Sequence, residues 1–238
     1  MKPTFHEIDR IEAVLEPFDW EVPRRHAAAI EDYWQQAMQR SSQMFNGTVL
    51  IQHRGAIEGR VFRAGYSATD YKSFLGFLRL DINSPGVRNG FGMAALRASD
   101  GAFLMGQMGP GTANAGMVYF AAGTPDMSDV VEGRVDLAGS VIREMCEETG
   151  LAEEEVRVGE GWTVIFAPKR VAFMRPVTID LPAEVARARM LERMKTLKED
   201  ELSDIVIVRP DDPLTDTRMP EFVLAYLHRA FGRAGPIA

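Results

Sequence analysis

Residues 137–151 read LAGSVIREMCEETGL, and they hold the most specific pattern in this sequence. If the segment is helical, at about 100° per residue, Glu144, Glu147 and Glu148 fall at positions i, i+3 and i+4 and share one face. Three carboxylates on one face repel one another unless a cation lies among them. The pattern therefore predicts a metal site, and the simplest alternative to it is a solvated acidic helix surface.

Local signals also predict the limits of this helix. Asp136 precedes it as a capping residue, and Gly150 follows it as a residue suited to the left-handed conformation that ends many helices. The single cysteine, Cys146, lies within the helix, so the chain has no internal disulfide and too few thiols for a structural zinc site. A role in packing is expected for Cys146.

The composition is that of a globular protein. The chain has 238 residues, of which 46% are hydrophobic, enough to fill the core of one large domain or of a domain with an extension. The formal net charge of -7 argues against a nucleic-acid partner, because such proteins present basic surface to phosphates. The N-terminus has no apolar signal-peptide core and no segment is as apolar as a membrane span, so a cytoplasmic location without membrane contact is expected.

Two regions are predicted on either side of NSPGVRNG, residues 83–90, where Asn, Ser, Pro and Gly cluster without periodicity. Residues 1–85 are predicted to form a small α+β subdomain. It contains a long helix over residues 23–40, which begins at a proline, and a strand pair around residues 55–59. Residues 86–238 are predicted to form the main domain.

Strands and helices do not alternate regularly in the main domain. Three apolar strand candidates separated by Gly-rich turns precede the acidic helix, the last over residues 116–123. After the helix come a strand pair over residues 162–180, a helix over 183–197, a strand over 204–208 and a helix over 220–231. Strands on both sides of one central helix indicate an α+β fold with an α/β/α sandwich rather than a doubly wound sheet.

The acidic helix resembles the second half of the Nudix box. That pattern specifies Arg-Glu, an apolar residue, any residue, Glu-Glu, any residue, Gly and an apolar residue, and residues 143–151 match every specified position. The resemblance implies a Nudix-type α/β/α sandwich with a mixed sheet, preceded by the N-terminal subdomain. The matching residues are Arg143, Glu144, Met145, Glu147, Glu148, Gly150 and Leu151.

The first half of the box departs from the family pattern. Counting back from the Arg-Glu pair, the leading glycine of the pattern falls on Asp129 and its first glutamate falls on Val135. The turn GTPD at residues 123–126 resembles the glycine-rich turn of the family, displaced upstream by an insertion. Asp136 and Glu132 are the two candidates to replace the missing glutamate.

The resemblance implies metal-dependent hydrolysis of a diphosphate. A bound Mg²⁺ or Mn²⁺ neutralises phosphate oxygens and lowers the pKa of a bound water, and Mg²⁺ takes oxygen ligands in near-octahedral geometry. The family pattern places Glu144, Glu147 and Glu148 in the metal cluster. It also implies that Arg143 orients these glutamates through charged hydrogen bonds.

The box alone does not fix the catalytic base or the substrate contacts. The base is either Glu144 or a residue outside the box, for which Glu199 and Glu201 in KEDELSD are candidates. Glu201 is the predicted catalytic residue of these two. A solvated helix end is the alternative for both. Lys169 and Arg170 follow the strand WTVIFAP and are predicted either to contact substrate phosphate or to form a polar hairpin tip.

Two short segments of the N-terminal region resemble an N-terminally extended Nudix subgroup that includes hydrolases of UDP-sugars. They are FNGT at 45–48 and TDYKSFLGF at 69–77. The resemblance implies a small-molecule nucleoside diphosphate derivative as partner, with a nucleotide sugar preferred and CoA or ADP-ribose compounds as alternatives. A non-catalytic ligand-binding regulator is a further alternative, which the missing glutamate favours. Many family members are dimers and the N-terminal subdomain could supply an interface, so a homodimer is one option and the oligomeric state stays open.

Overall fold

The computed structural model describes residues 2–40, 44–197 and 201–233. Its strands are β1 (Thr4–Ile8), β2 (Arg10–Leu15), β3 (Thr48–Glu58), β4 (Val61–Asp70), β5 (Asn89–Ala98), β6 (Phe103–Met108), β7 (Val118–Tyr119), β8 (Val130–Val131), β9 (Arg134–Val135), β10 (Val156–Val158), β11 (Trp162–Ala167), β12 (Arg170–Ile179) and β13 (Leu202–Val208). Its α-helices are α1 (Val22–Arg25), α2 (Ala27–Arg40), α3 (Tyr71–Arg79), α4 (Leu137–Thr149), α5 (Ala183–Met194) and α6 (Glu221–Ala230). Short 3-10 helices span Met127–Asp129 and Glu153–Glu155. Within these ranges, no helix has the length and apolar character needed to cross a membrane.

A mixed eight-stranded sheet forms the centre of the fold. Its strand order is β1-β11-β12-β5-β6-β13, with β10 also paired to β12 and β7 to β6. The neighbours β5 and β12 run parallel over their whole length, and the other pairs in this sheet are antiparallel. Strands from before and after α4 therefore lie side by side, which explains the irregular order of elements along the sequence.

Helices cover both faces of this central sheet. Side chains of α4 and α5 share one apolar cluster with the sheet, and side chains of α6 share another. Successive residues of β5 alternate between the two clusters, with Ala94 in the first and Ala95 in the second. The two clusters therefore lie on opposite faces, because neighbouring side chains of a strand point in opposite directions. The predicted α+β class and the predicted α/β/α sandwich with a mixed sheet are confirmed.

A second, five-stranded sheet contains the strands of the N-terminal region, in the order β3-β4-β2-β9-β8. Two segments cross the predicted division at residues 85 and 86. Strand β1 pairs with β11 of the central sheet, and the β8–β9 hairpin, which precedes α4, pairs with β2 of the second sheet. The division into residues 1–85 and 86–238 stays a prediction about folding units, but the two sheets exchange strands across it.

Helix α4 forms where the local signals predict it. The carboxylate of Asp136 accepts a hydrogen bond from the N–H of Gly139 at 3.0 Å and caps the helix. Gly150 ends the helix with a φ of 69°, and its N–H donates to the carbonyl of Cys146. Because the apolar side of α4 packs on the central sheet, the direction in which its polar residues point is fixed.

Two predicted elements are shorter than expected. The helix predicted over residues 23–40 is interrupted at His26, whose backbone angles (φ −118°, ψ 20°) separate α1 from α2. The strand predicted over residues 116–123 pairs with β6 only at Val118–Tyr119. Gly116 has a left-handed φ of 78°, so the chain turns there before the strand begins.

Candidate active site

The three glutamates of α4 lie in three different environments. Glu148 is buried, with 6% of its surface exposed, and neither of its carboxylate oxygens has a hydrogen-bond partner within the described structure. The side chain of Glu144 is 19% exposed, and that of Glu147 is half exposed. Glu148 therefore lacks the partners that buried polar groups normally have.

Burial and mutual repulsion disfavour the charged forms of two of these carboxyl groups. Burial raises the pKa of Glu148 well above its ordinary value, and the charges of Glu201 and Glu144 raise it further. The N–H of Ala122 lowers the pKa of Glu148, but it does not lie in hydrogen-bond geometry with the carboxylate. Burial likewise raises the pKa of Glu144 to about 7, against the lowering effect of Arg143. A cation among these carboxylates would oppose both shifts.

Arg143 connects the carboxylates of α4 to the segment before the helix. Its guanidinium donates to a carboxylate oxygen of Asp129 at 2.7 Å. The same guanidinium lies 3.0 Å from an oxygen of Glu144 and 3.2 Å from an oxygen of Glu147. Charged hydrogen bonds of this kind fix geometry as well as adding energy. Arg143 therefore occupies a position from which it can orient two of the three glutamates.

Asp129 is a residue of this site that the sequence pattern did not identify. Its side chain is 3% exposed, and the oxygen that does not meet Arg143 accepts the N–H of Asp126 at 2.9 Å. Asp126 in turn accepts the N–H of Ser128 at 2.6 Å, which completes a capping box around the 3-10 helix Met127–Asp129. The available signal was the Asp-x-x-Asp spacing in PDMSD, a pattern that favours a helix start.

Neither candidate for the missing glutamate takes its place. Val135 is buried in the core, so the position itself offers no oxygen ligand. Asp136 is exposed and its carboxylate caps α4. Glu132 is exposed in the tight turn between β8 and β9, where its φ is 50°. The carboxylate that reaches Arg143 from this segment belongs to Asp129 instead.

The backbone comes very close to Glu144 at Gly123. A Cβ atom at this position would lie 2.3–2.6 Å from the carboxylate atoms of Glu144, a distance that real Cβ atoms essentially never show. Glycine is therefore the residue that leaves room for the carboxylate in its present position. Gly123 belongs to the GTPD turn that resembles the glycine-rich turn of the Nudix box, so this turn and α4 meet despite the insertion between them.

A cavity of about 800 Å³ adjoins the carboxylates. Its walls come from α2 and α3, from β5, from the segments around residues 110–124 and from the start of α6. Gly123 and Tyr119 line it, and burial followed by the charges of Glu148 and Glu201 raises the pKa of Tyr119. Gly123 also lies against the carboxylate of Glu144, so the acidic end of α4 adjoins one wall of the cavity. Its size is typical of a small-molecule site.

The two basic residues predicted to contact substrate lie in different places. Arg170 lines the cavity, and no described residue accepts a hydrogen bond from its guanidinium. Lys169 does not line the cavity. Its ammonium donates to the carbonyls of Phe77 and Leu80, at 2.7 and 2.8 Å, at the end of α3. Lys169 therefore fastens α3 to the turn between β11 and β12, and the structure does not place it for the predicted substrate contact.

Glu201, the predicted catalytic residue outside the box, immediately precedes β13. Its backbone carbonyl accepts the N–H of Gly109 at 2.7 Å, which holds it beside the loop that borders the cavity. The charge of Glu201 raises the pKa of both Glu144 and Glu148. The structure therefore brings Glu201 within electrostatic range of the two buried glutamates. Glu199, the other candidate, lies outside the described residues.

The donor set suits a hard divalent cation, although the metal position is not pre-formed. Across residues 2–40, 44–197 and 201–233, no three His, Cys, Asp or Glu side chains are already arranged around one point. Glu148 nevertheless offers two buried oxygens without partners, and Glu144 is near enough to repel it. Mg²⁺ binds through one or two carboxylates while it keeps several waters, so these residues fit Mg²⁺ or Mn²⁺.

Solved structures that resemble this chain include Nudix hydrolases, the family whose box resembles residues 143–151 in its second half. The Nudix hydrolase RenU from M. smegmatis is 17% identical, with a TM-score of 0.41 over 60% of this chain and 83% of its own. The MutT protein from Methanosarcina mazei Go1 is 16% identical, with a TM-score of 0.42 over 63% of this chain and 96% of its own. A NUDIX-family hydrolase from Clostridium perfringens is 13% identical, with a TM-score of 0.39 over 61% of this chain and 97% of its own. No protein-family model and no curated protein sequence matches the chain.

Proposed function

We propose that this protein is a Nudix-type pyrophosphohydrolase that requires Mg²⁺ or Mn²⁺ and cleaves the diphosphate of a nucleoside diphosphate linked to another group. A nucleotide sugar is the preferred substrate class. The observation that carries the proposal is the buried carboxylate of Glu148, which has no hydrogen-bond partner and lies beside Glu144 at one side of a large cavity. A protein retains so costly an arrangement where function requires it.

The bound metal ion would supply charge neutralisation at the phosphate oxygens and a water of lowered pKa. The residues of this chain hold and orient the reacting groups. Glu148 and Glu144 would supply the inner oxygen ligands of this ion, and Glu147, which is half exposed, would supply a further one from the same helix. Arg143, itself held by Asp129, fixes the orientation of the glutamates. Glu201 is the proposed base, because it approaches the inner ligands from a different element, while Glu144 is the alternative base.

The choice of substrate class rests on the cavity and on the N-terminal region. Side chains of α2 and α3, which belong to the region that resembles the UDP-sugar subgroup, form part of the cavity wall. A pocket of about 800 Å³ is large enough for a nucleoside diphosphate with an attached group. CoA and ADP-ribose compounds are the alternative substrates within the same class.

The experiment compares wild type with Glu148→Gln and with Glu154→Gln, an exposed residue of the following segment that serves as matched control. Phosphate-bond cleavage is measured over a panel of nucleotide sugars, ADP-ribose and CoA, with and without Mg²⁺ or Mn²⁺. Glu148→Gln should reduce metal-dependent turnover by at least about 100-fold, because it removes a direct ligand. Its melting temperature should equal or exceed that of wild type, since the change removes a buried ionisable group that has no hydrogen-bond partner.

Two results would contradict the proposal. If Glu148→Gln turns over the substrate like Glu154→Gln does, the metal site has been misplaced. If wild type binds a nucleotide of the panel tightly but hydrolyses none under any metal condition, the protein is a ligand-binding regulator rather than an enzyme.

A further inference from the structure

The polar floor of the cavity is built where β5 and β12 begin. These strands run parallel, and Arg170 is the register partner of Asn89. Asn89, Phe91 and Met93 are alternate residues of β5 and therefore point to the same face of the sheet, and all three line the cavity together with Arg170. Phe91 and Met93 belong to the apolar cluster of α6, so this part of the cavity opens on the α6 side of the sheet.

Both polar residues of this floor lack partners. Asn89 is 7% exposed, and its side-chain oxygen has no hydrogen-bond donor in the described structure. The guanidinium of Arg170 has no acceptor there either, and burial followed by the charge of Arg79 lowers its pKa. Arg79 differs, because it donates to the side chain of Asn114 at 2.6 Å. A buried acceptor on Asn89 and a half-buried set of donors on Arg170 thus line one cavity without partners in the described structure, which a bound ligand would supply.

Aromatic rings surround the floor. Tyr71 and Phe74 of α3 line one side, with ring centroids 6.1 Å apart, and Phe91 and Phe222 line another, 6.3 Å apart and nearly perpendicular. Flat aromatic ligands stack on such rings, as bases do in proteins that bind single strands. The walls therefore favour a planar ligand.

We propose that Asn89 and Arg170 recognise the polar edge of the nucleobase of the substrate while the surrounding rings contact its faces. The inference rests on the proposed function and adds the residues that select the base. A phosphate offers acceptor oxygens alone, which would satisfy Arg170 and leave the oxygen of Asn89 without a donor. A nucleobase edge presents donors and acceptors next to each other, which satisfies both residues.

The position of this floor relative to the carboxylates suits the two ends of one substrate. Arg170, Tyr119 and Gly123 all line the same cavity, and Gly123 lies against the carboxylate of Glu144. The cavity therefore extends from the proposed base site to a residue beside the proposed metal site. A nucleoside diphosphate bound with its base at Asn89 would direct its phosphates past Tyr119 toward Glu148.

The experiment measures binding of UMP, CMP, AMP and GMP by calorimetry, and hydrolysis of UDP-, CDP-, ADP- and GDP-glucose, for wild type, Asn89→Ala and Arg170→Gln. Arg157→Gln, an exposed arginine far from the cavity lining, is the matched control. Each cavity variant should bind the preferred mononucleotide about 10-fold or more weakly, as expected for loss of one or two buried hydrogen bonds. The KM of the preferred substrate should rise by the same factor, kcat should stay within about threefold, and Mn²⁺ affinity should not change.

The base preference is the decisive readout. In both cavity variants the preference among the four mononucleotides should shrink, whereas discrimination between sugars attached to the same nucleotide should persist. An unchanged base preference in both variants, or a loss confined to sugar discrimination, would overturn the inference. Asn89→Leu, whose side chain has the same number of heavy atoms and the same branching, is the second variant if Asn89→Ala does not fold. Mononucleotide binding needs no turnover, so base recognition is tested even if the protein proves not to be a hydrolase.

Discussion

Arg143 of α4 and Asp129 of the preceding 3-10 helix form an ion pair at 2.7 Å in which the carboxylate is almost fully buried. The pair spans 14 residues of sequence and links the acidic helix to the loop that carries the insertion. Asp129 thereby supplies the anchor for Arg143 in a chain that has Val135 at the position where the Nudix box pattern has its first glutamate. The two residues connect the local pattern of the helix to the three-dimensional arrangement of the site.

Replacing Asp129 with asparagine should weaken the metal site without unfolding the protein. The asparagine oxygen can still accept the N–H of Asp126, but the charge that holds Arg143 is lost. Mn²⁺ affinity and turnover should each fall by about 10- to 100-fold, as is usual for residues that orient ligands. Asp126→Asn is the control, because Asp126 contacts Ser128 and not Arg143. If Asp129→Asn binds Mn²⁺ with wild-type affinity, then Arg143 does not depend on Asp129 for its position.

Replacing Gly123 with alanine should disturb Glu144 specifically. The added methyl would overlap the carboxylate of Glu144, which is the flexible end of a side chain and can move away at little cost to folding. Turnover should fall by about 10- to 100-fold, since displacement of about 1 Å at a catalytic group has effects of this size. The melting temperature should change little.

The specificity of the Gly123 effect can be measured with a double-mutant cycle on Mn²⁺ affinity. In a Glu144→Ala background the added methyl meets no carboxylate, so Gly123→Ala should have no further effect on Mn²⁺ affinity. An equal loss in both backgrounds would mean that Gly123 acts through the backbone rather than through Glu144.

The loss of stability as the pH falls should depend partly on Glu155. This carboxylate accepts hydrogen bonds from Arg193, from the N–H of Ala152 at 2.9 Å and from Arg189 at 2.8 Å, and Arg193 is the main cause that lowers its pKa to about 2. A carboxyl group whose pKa is lowered by folding stabilises the protein at pH values above its ordinary pKa of 4.5. This contribution is lost as the pH falls toward 2. The side chain is 21% exposed, so solvent screening reduces the effect.

Glu155→Gln should therefore lower the free energy of unfolding at pH 7 by about 1–2 kcal/mol. The difference from wild type should disappear as pH falls from about 4.5 to about 2. Urea unfolding at a series of pH values measures both quantities, with Glu154→Gln as control. A difference that is independent of pH would show that the ion pairs of Glu155 are not its cause.

The sequence was sufficient for α4 because all of its signals are local. The cap at Asp136, the ending at Gly150 and the spacing of the glutamates lie within one helix and its two ends. Their burial was not predictable in the same way. Whether Glu148 is enclosed and Glu147 is exposed depends on which side of α4 meets the sheet and on the approach of Ala122 and Gly123.

The residues that sequence reasoning missed or misplaced depend on distant contacts. Lys169 has the position and charge of a substrate contact at a hairpin tip, but it binds the end of α3, 92 residues earlier in the chain at Phe77. Asn89 carried no local signal at all, because its importance comes from its register with Arg170 across two parallel strands. Pairings of this kind arise only once the chain has folded.

The exchange of strands between the two sheets makes the chain less modular than its sequence suggests. The β8–β9 hairpin that leads into α4 is held by β2, and the carbonyl of Pro125, in the glycine-rich turn, accepts the N–H of Leu50 at 2.7 Å. The loop that positions Asp129 and Gly123 is thus braced by the first 70 residues. Contacts from the first 70 residues therefore support the loop that leads into α4, and a variant truncated before β5 is expected to leave that loop without them.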